Sequence, residues 1–279
     1  MELDGLMAFN GCDEVMEGLT AIMRGWDVRE ETDRSPKRAI VRLRRTRRGY
    51  RRVSAWVRTP SECREAFRTH YTDALFGVYY DLLGWYAQAQ TVRPCLHSAA
   101  IRFGSGLVVF PNTTKAGKTT LAIQLAMNGY QIFCDDWLPI QHGSHGVALG
   151  ILPWLRLPAP AHVRDDFRRF LEFRRGPGNA RWMYVDLRTD ELAPHGATAP
   201  VSRLVLLDRK PRGRPRLTAV TKDTMLSELI EQNYARQLPA IDIFDQMHAL
   251  TQAADCYSLR YASVAQAAAV LQDAFGSPA

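Results

Sequence analysis

Apolar positions along the chain fall into two textures. Up to about residue 92 they sit at helical spacing or alternate with arginine, and from Cys95 onward they gather in short runs between glycine-rich turns. The segment CDEVMEGLTAIMRGW (12–26) puts Val15, Leu19, Ile22 and Met23 on one face of a predicted helix. Residues 40–57 alternate instead. Ile40 and Val41 lead into Arg42-Leu43-Arg44, TRRG supplies a turn, and Val53, Ala55 and Val57 interleave with polar residues. That pattern predicts a β-hairpin with one arginine-rich face. Pro60-Ser61-Glu62 has the chemistry of a helix start, so a helix is expected from about Ser61. Phe76, Tyr79, Tyr80, Leu83 and Tyr86 then recur at three- to four-residue steps, the signature of packing against a core.

In the second texture HSAAIRF and GLVVF read as two strands joined by Gly104-Ser105-Gly106. The loop PNTTKAG follows, then a helix from Lys118 to Asn128 with Gly129 as its stop, then the strand YQIFCDD. VSRLVLLDR and CYSLRYA read as further strands, and TMLSELIEQNYARQL, DIFDQMHALTQAAD and VAQAAAVLQDAF as helices. DRKPRGRPR is a surface turn, and Arg164–Arg175 is taken as an arginine-rich loop. Mixed strands and helices predict an α/β core over 93–279, preceded by a smaller α+β domain over 1–92.

Composition narrows the class. The chain has 279 residues, 46% hydrophobic and 23% charged, which excludes a disordered or fibrous protein. No apolar run is long enough for a membrane-spanning helix, and the mixed, acidic start MELDGLMAFNGCDE is unlike a secretory signal, so a cytoplasmic protein without a membrane partner is expected. Cys12, Cys63, Cys95, Cys134 and Cys256 are scattered and odd in number, and read as reduced thiols rather than a disulfide framework or zinc site. The net charge of +7 is local. Eleven of the 36 basic residues lie between Arg34 and Arg58 with no acidic residue among them, which leaves 25 basic against 29 acidic residues elsewhere. The basic hairpin suits an acidic partner, or it is a solvated face whose arginines pair with carboxylates of the same chain. Tyr50 and Trp56 are its sole obvious stacking residues, so nucleic acid ranks last among the partners considered.

The segment Leu107–Asp136 carries the chemistry. Strand LVVF runs into a loop that ends Ala116-Gly117-Lys118-Thr119-Thr120 at a helix start, the tail of a Walker A pattern. In such a loop the backbone N–H groups of Asn112, Thr113, Thr114, Lys115, Ala116 and Gly117 and of the first helical turn, Thr120 included, face phosphate oxygens. The Lys118 ammonium reaches the outer phosphates, and the Thr119 hydroxyl is placed for Mg²⁺. Lys118 is one of five lysines in a chain with 31 arginines, so a compact ammonium stands where phosphate is to be held. Asn112, after Pro111, occupies the position of the pattern's first glycine, and asparagine tolerates left-handed backbone better than most residues. Asp135 and Asp136 close the next strand, where one carboxylate can accept a hydroxyl proton and the other can bind a metal ion.

Over CLHSAAIRFGSGLVVFPNTTKAGKTTLAIQLAMNGYQIFCDDWLPI the chain resembles the catalytic core of the HPr serine kinase/phosphorylase family. Weaker similarity continues through GILPWLRLP, SRLVLLDR, LIEQNYAR and CYSLRYASVAQAAAVL, closest to HPr-kinase-related enzymes of modified-peptide clusters. Residues 1–92 do not resemble the N-terminal domain of true HPr kinases. The resemblance implies a P-loop kinase core of the HPr kinase type, a mixed sheet with flanking helices, using ATP and Mg²⁺. It implies Lys118 on the phosphates, Thr119 and Asp136 toward the metal, Asp135 as base toward the acceptor hydroxyl, and His97 near the transferred phosphate. It also puts Arg156 and, more weakly, Arg181 toward nucleotide or substrate. Lys115 and Asn112 stand where the family usually has glycines, and the Glu-containing signature that recognises HPr is replaced by VALGILPWLRLP, so HPr is not the expected acceptor.

The expected activity is transfer of the ATP γ-phosphate to a hydroxyl of a peptide, a protein serine or a small molecule. The alternative is a nucleotide-binding protein without transferase activity. No base-specific motif separates ATP from GTP. Oligomeric state stays open, because members of the family form homo-oligomers and the aromatic stripe would serve an interface as well as a core.

Overall fold

In the computed structural model the arginine-rich alternation closes into a hairpin, β2 (Val41–Thr46) against β3 (Gly49–Ser54), with Val41 opposite Ser54 and Thr46 opposite Gly49. The structure describes residues 7–27, 41–54, 64–89, 93–113, 115–141, 144–161 and 163–276. Ile40, Ala55, Trp56, Val57, Pro60, Ser61, Glu62 and Cys63 therefore lie outside the described residues, as does Thr114. The chain divides into two units, Met1–Gln90 and Thr91–Ala279.

In the first unit the hairpin sits between β1 (Met7–Asn10) and β4 (Arg64–Arg68) in a four-stranded sheet ordered β1-β2-β3-β4. Helices α1 (Asp13–Ile22) and α2 (Tyr71–Ala89) pack together, burying Val15, Leu19, Leu75, Val78 and Tyr79. The helix expected from about Ser61 starts later, at Tyr71. Residues 64–68 pair with β3 instead, a tertiary pairing that overrides a local helix signal. The aromatic stripe also divides. Tyr79, Leu83 and Tyr86 are buried, while Phe76 and Tyr80 stack on each other at 6.1 Å and Tyr80 is 44% exposed.

The hairpin's arginines find partners within the chain. Arg45 reaches Glu14, Arg51 meets Glu65 at 2.6 Å, and Arg52 meets the buried Asp81 at 2.6 Å while also donating to the Gly77 carbonyl. Three cations of the basic segment thus belong to its own fold.

The second unit is a mixed α/β body. Its large sheet runs β5 (Cys95–His97), β9 (Trp137–Gln141), β10 (His145–Val147), β14 (Thr198–Arg209), β7 (Gly106–Phe110), β6 (Ala99–Phe103), β8 (Ile132–Cys134). The far half of β14 carries β16 (Asp255–Tyr261) on the same edge as β10, and β15 (Arg216–Ala219) adds to β16. β7, β14 and β16 are mutually parallel, and β6 is antiparallel to both β7 and β8, so β8 points the same way as β7. Four strands therefore deliver their carboxyl ends to one edge, where ligands of open α/β sheets gather.

Helix α3 (Lys118–Met127) lies against β6 and β8 on one side and α7 (Val264–Phe275) on the other, and so is buried almost all round. Helices α5 (Lys222–Glu231) and α6 (Ala240–Ala253) cover the opposite part of the core, with Met225, Leu229, Met247 and Leu250 packed on Leu96, Leu107 and Leu138. A small sheet, β11 (Trp154–Arg156), β13 (Trp182–Val185) and β12 (Arg175–Gly178), completes the unit. Arg164–Arg175, read above as a loop, is mostly helix α4 (Asp165–Phe173), which buries Phe167 and Leu171 on one side.

One predicted helix is two elements. TMLSELIEQNYARQL is helical only to Glu231. Beyond it, Asn233 accepts hydrogen bonds at its side-chain oxygen from the N–H groups of Cys95 and Ala235, both at 3.2 Å. An asparagine that satisfies backbone groups itself gives the chain an alternative to helix. Residues 232–234 instead bridge to β5, with His97 N–H donating to the Gln232 carbonyl and Tyr234 N–H to the Cys95 carbonyl, each at 2.7 Å. Among the described residues, no helix is long and apolar enough to cross a membrane. Cys12, Cys95, Cys134 and Cys256 are buried free thiols.

Candidate functional site

β7 ends at Phe110, and the chain turns through residues 111–117 into α3. Among the described residues of the turn, Lys115 at φ 72° and Gly117 at φ 100° have left-handed backbone. Sequence reasoning placed that conformation at Asn112, and the structure moves it to Lys115. Asn112 does a different job. Its side-chain oxygen accepts from Leu207 N–H at 2.8 Å and its amide donates to the Leu207 carbonyl at 3.4 Å, so it extends the β7–β14 pairing by one side chain. A glycine there could not do this.

The first turn of α3 has no side-chain cap and no acidic residue. Its N–H groups and the positive end of the helix dipole are left for whatever enters the cleft in front of them, a ready anion site. The loop is held from behind by β16, whose Tyr261 hydroxyl donates to the Ala116 carbonyl at 3.2 Å. Burial pushes the Tyr261 phenol up to about 12, so it keeps the proton it donates.

Lys118 opens the helix and is 7% exposed. Its ammonium donates to the carbonyls of Asn112 and, at 3.2 Å, Thr113, and lies 3.2 Å from His97 Nε2. Burial lowers its pKa, against the pull of Asp136 and Asp135. Thr119 donates its hydroxyl to Asp135 Oδ2 at 3.2 Å, and Trp154 N–H reaches the same oxygen at 3.3 Å. Asp135 is 5% exposed, and burial first, then the neighbouring Asp136, push its carboxyl up to about 8. Asp136 Oδ1 lies 3.0 Å from His97 Nε2.

These residues line one open cleft. His97, Lys115, Ala116, Gly117, Lys118, Thr119, Thr120, Asp135 and Asp136 line it together with Trp154, Arg156 and Arg209. The structure thus brings together His97, Lys115, Ala116, Gly117, Lys118, Thr119, Thr120, Asp135, Asp136 and Arg156 from the sequence-predicted set. Asn112 and Thr113 offer only their carbonyls, to Lys118, and Arg181 does not line the cleft. Arg156 is exposed at its mouth, its guanidinium 5.5 Å from the Trp154 ring centroid.

Sequence reasoning missed Arg209, Trp154, Gln232 and Tyr234. Arg209 ends the strand VSRLVLLDR, so its place at the cleft follows from knowing which strands are parallel. Gln232 and Tyr234 were hidden by the helical reading of their segment. Tyr234 stacks on His97 at 5.2 Å and meets Trp137 in a tilted contact at 4.2 Å.

The donors suit a hard cation that shares its shell with a ligand. A hydroxyl and a carboxylate supply oxygen, and among the described residues no group of three or more His, Cys, Asp or Glu gathers to hold a metal alone. Mg²⁺ is commonly bound through one or two carboxylates plus phosphate oxygens.

No protein-family model matches the chain, and no curated protein matches it. Among solved structures it is similar to the HPr(Ser) kinase/phosphatase from Coxiella burnetii, with 10% sequence identity and a TM-score of 0.33 over 64% of this chain and 95% of that one. With one aligned residue in ten shared, the likeness names no family for this chain.

Proposed function

We propose that the protein is a kinase that binds Mg·ATP in this cleft and transfers the γ-phosphoryl group to a hydroxyl of a peptide, protein or small molecule. One observation carries the reading: an uncapped helix N-terminus, a buried lysine and two adjacent carboxylates, of which Asp135 is buried, converge on one cleft at the carboxyl edge of the sheet. That is the equipment of phosphoryl transfer, where positioning and charge stabilisation supply most of the catalysis.

In this reading the N–H groups of the 115–120 turn and the Lys118 ammonium hold the phosphates. The Thr119 hydroxyl and Asp136 would hold Mg²⁺, which supplies charge neutralisation on the phosphate oxygens when bound. The acceptor oxygen bonds to the γ-phosphorus as the bond from that phosphorus to the bridging oxygen breaks. The hydroxyl proton passes to Asp135, and the leaving electron pair stays on the nucleoside diphosphate. Burial and the neighbouring Asp136 carboxylate raise the basicity of Asp135, which favours its accepting the acceptor's proton.

The test pairs binding with turnover. Mg·ATP, and Mg·GTP beside it, at a hundred times the dissociation constant should stabilise the wild type by about 2.7 kcal/mol, and Lys118→Ala should lose the effect. Phosphoryl transfer to hydroxyl-bearing peptides and small acceptors should then fall about 10²- to 10⁴-fold in Asp135→Asn. Binding without transfer to any acceptor would favour the non-catalytic reading, and no binding would end both.

A further inference from the structure

A further basic run differs from the arginine hairpin in that its own fold does not absorb it. Residues 208–216, DRKPRGRPR, hold four arginines and a lysine against one aspartate. That aspartate is already engaged, with Lys210 at 2.7 Å and Arg260 at 3.0 Å. Among the described residues the guanidiniums of Arg209, Arg212, Arg214 and Arg216 make no ion pair or hydrogen bond, and all four residues are exposed. In the hairpin, by contrast, Arg45, Arg51 and Arg52 each meet a carboxylate.

The strand order places this run at the cleft. β14 and β16 are parallel and end together, and β15 returns antiparallel from the same edge. Lys210 N–H donates to the Tyr261 carbonyl at 2.8 Å, so the turn leaves β14 tied to the residue whose hydroxyl holds Ala116. Arg209 lines the cleft itself, and Arg216 opens β15 directly opposite Arg260. Like charges facing each other across a strand pair are destabilising, and an added anion relieves them. Pro211 and Pro215 fix the backbone on either side of Gly213 (φ 134°), which limits how far the turn can spread its charges.

The chemistry of the run selects the anion. Guanidinium groups pair with carboxylates through two parallel hydrogen bonds. Residues 208–216 contain no aromatic side chain, so the bases of a single-stranded nucleic acid would have no surface there to stack on. We propose that the 209–216 turn is the docking surface for the acceptor, an acidic peptide or protein segment whose carboxylates sit on Arg212, Arg214 and Arg216 while its hydroxyl enters the cleft. That the docked segment is also the acceptor rests on the phosphoryl-transfer reading above. Its binding to the turn does not.

The experiment titrates the full-length protein with fluorescein-labelled, glutamate-rich peptides, each with one serine at a different position. Copies with glutamine at every glutamate serve as controls. At low salt the glutamate peptides should bind at least about tenfold more tightly than the glutamine copies, and the difference should shrink as salt screens it. Arg212→Glu/Arg214→Glu/Arg216→Glu should weaken glutamate-peptide binding about ten- to a hundredfold, the scale of three exposed pairs lost and three repulsions gained. The same variant should gain affinity for lysine-rich counterparts, a reversal that loss of structure would not produce. Its thermal shift with Mg·ATP should match the wild type, because none of the three side chains lines the cleft.

In transfer assays the triple variant should raise KM for the glutamate peptides by the same factor, with KM for Mg·ATP unchanged. A wild type that binds glutamate and glutamine peptides alike, or a triple variant that holds the glutamate peptides as tightly as wild type, overturns the proposal. So does transfer to neutral acceptors and to none of the glutamate peptides. A single-stranded oligonucleotide that binds more tightly than the peptides, and loses that affinity in the triple variant, would assign the surface to nucleic acid and overturn it too. Peptide binding that the triple variant abolishes, with no transfer to any acceptor, overturns the kinase reading alone.

Discussion

Asp135 shows how one residue's surroundings set both chemistry and stability. Its carboxyl is raised from 3.8 to about 8, chiefly by burial and then by Asp136. A group with a raised folded pKa holds its proton more tightly when folded. The stability it contributes is complete below pH 3.8 and is lost progressively as pH rises through about 8. Asp135→Asn has nothing to lose in that window. The difference in unfolding free energy between the variant and the metal-free wild type should therefore grow from about pH 4 to pH 8, then level off, in favour of the variant and by an amount on the order of a few kcal/mol. A wild type that gains on the variant with rising pH would contradict the burial of this carboxylate. The Asp135-Asp136 pair was legible in the sequence because it ends a strand next to a loop. The pKa was not, because it depends on how deeply the folded chain buries the carboxyl, against the lowering pull of the Thr119 and Trp154 hydrogen bonds.

At the scale of elements, the arginine hairpin separates two kinds of ion pair. Arg51 and Glu65 are both more than half exposed, so Arg51→Ala should leave the unfolding midpoint where it was. Arg52 and Asp81 have side-chain exposures of 12% and 8%, and Ser54 also donates to Asp81. Arg52→Ala takes the cation away from a buried carboxylate and should cost about 3–5 kcal/mol in urea unfolding, enough to melt the first unit separately. The 111–117 turn offers a parallel case. Asn112→Ala removes both bonds to Leu207 and should destabilise by about 1–2 kcal/mol, while nucleotide binding, made by other backbone groups, stays within a few-fold of wild type. Alternation and helical period were enough to read most of these elements. Reading failed where a partner far along the chain decided the outcome, at 64–68, claimed by β3, and at 232–234, claimed by β5.

For the molecule as a whole, four strand ends and one helix start do the assembling. Residues 107–136 contain the lysine, the threonine and both aspartates, so much of the candidate site was visible in thirty consecutive positions. The remainder comes from three other regions: His97 on β5, Arg156 on β11 and Arg209 on β14. A linear pattern holds no record of which strands lie side by side, and so Arg209 and Gln232 had no signal to find. The basic segment points the same way. Its charge is conspicuous in the sequence, yet part of it is spent on Glu14, Glu65 and Asp81 within the first unit.

The Tyr261 hydroxyl that grips Ala116 joins residues 145 positions apart. The loop therefore does not own its shape, and a short synthetic peptide spanning 105–136 should show no affinity for phosphate. The dependence also runs in reverse. A ligand that clamps the loop makes opening of β16 and β14 costlier, because those strands cannot leave without releasing Ala116 and Asn112. Amide hydrogen exchange should thus slow on nucleotide binding along the buried face of β16, including amides remote from any phosphate. The final strand of the chain would report occupancy of a pocket whose loop lies more than a hundred residues earlier.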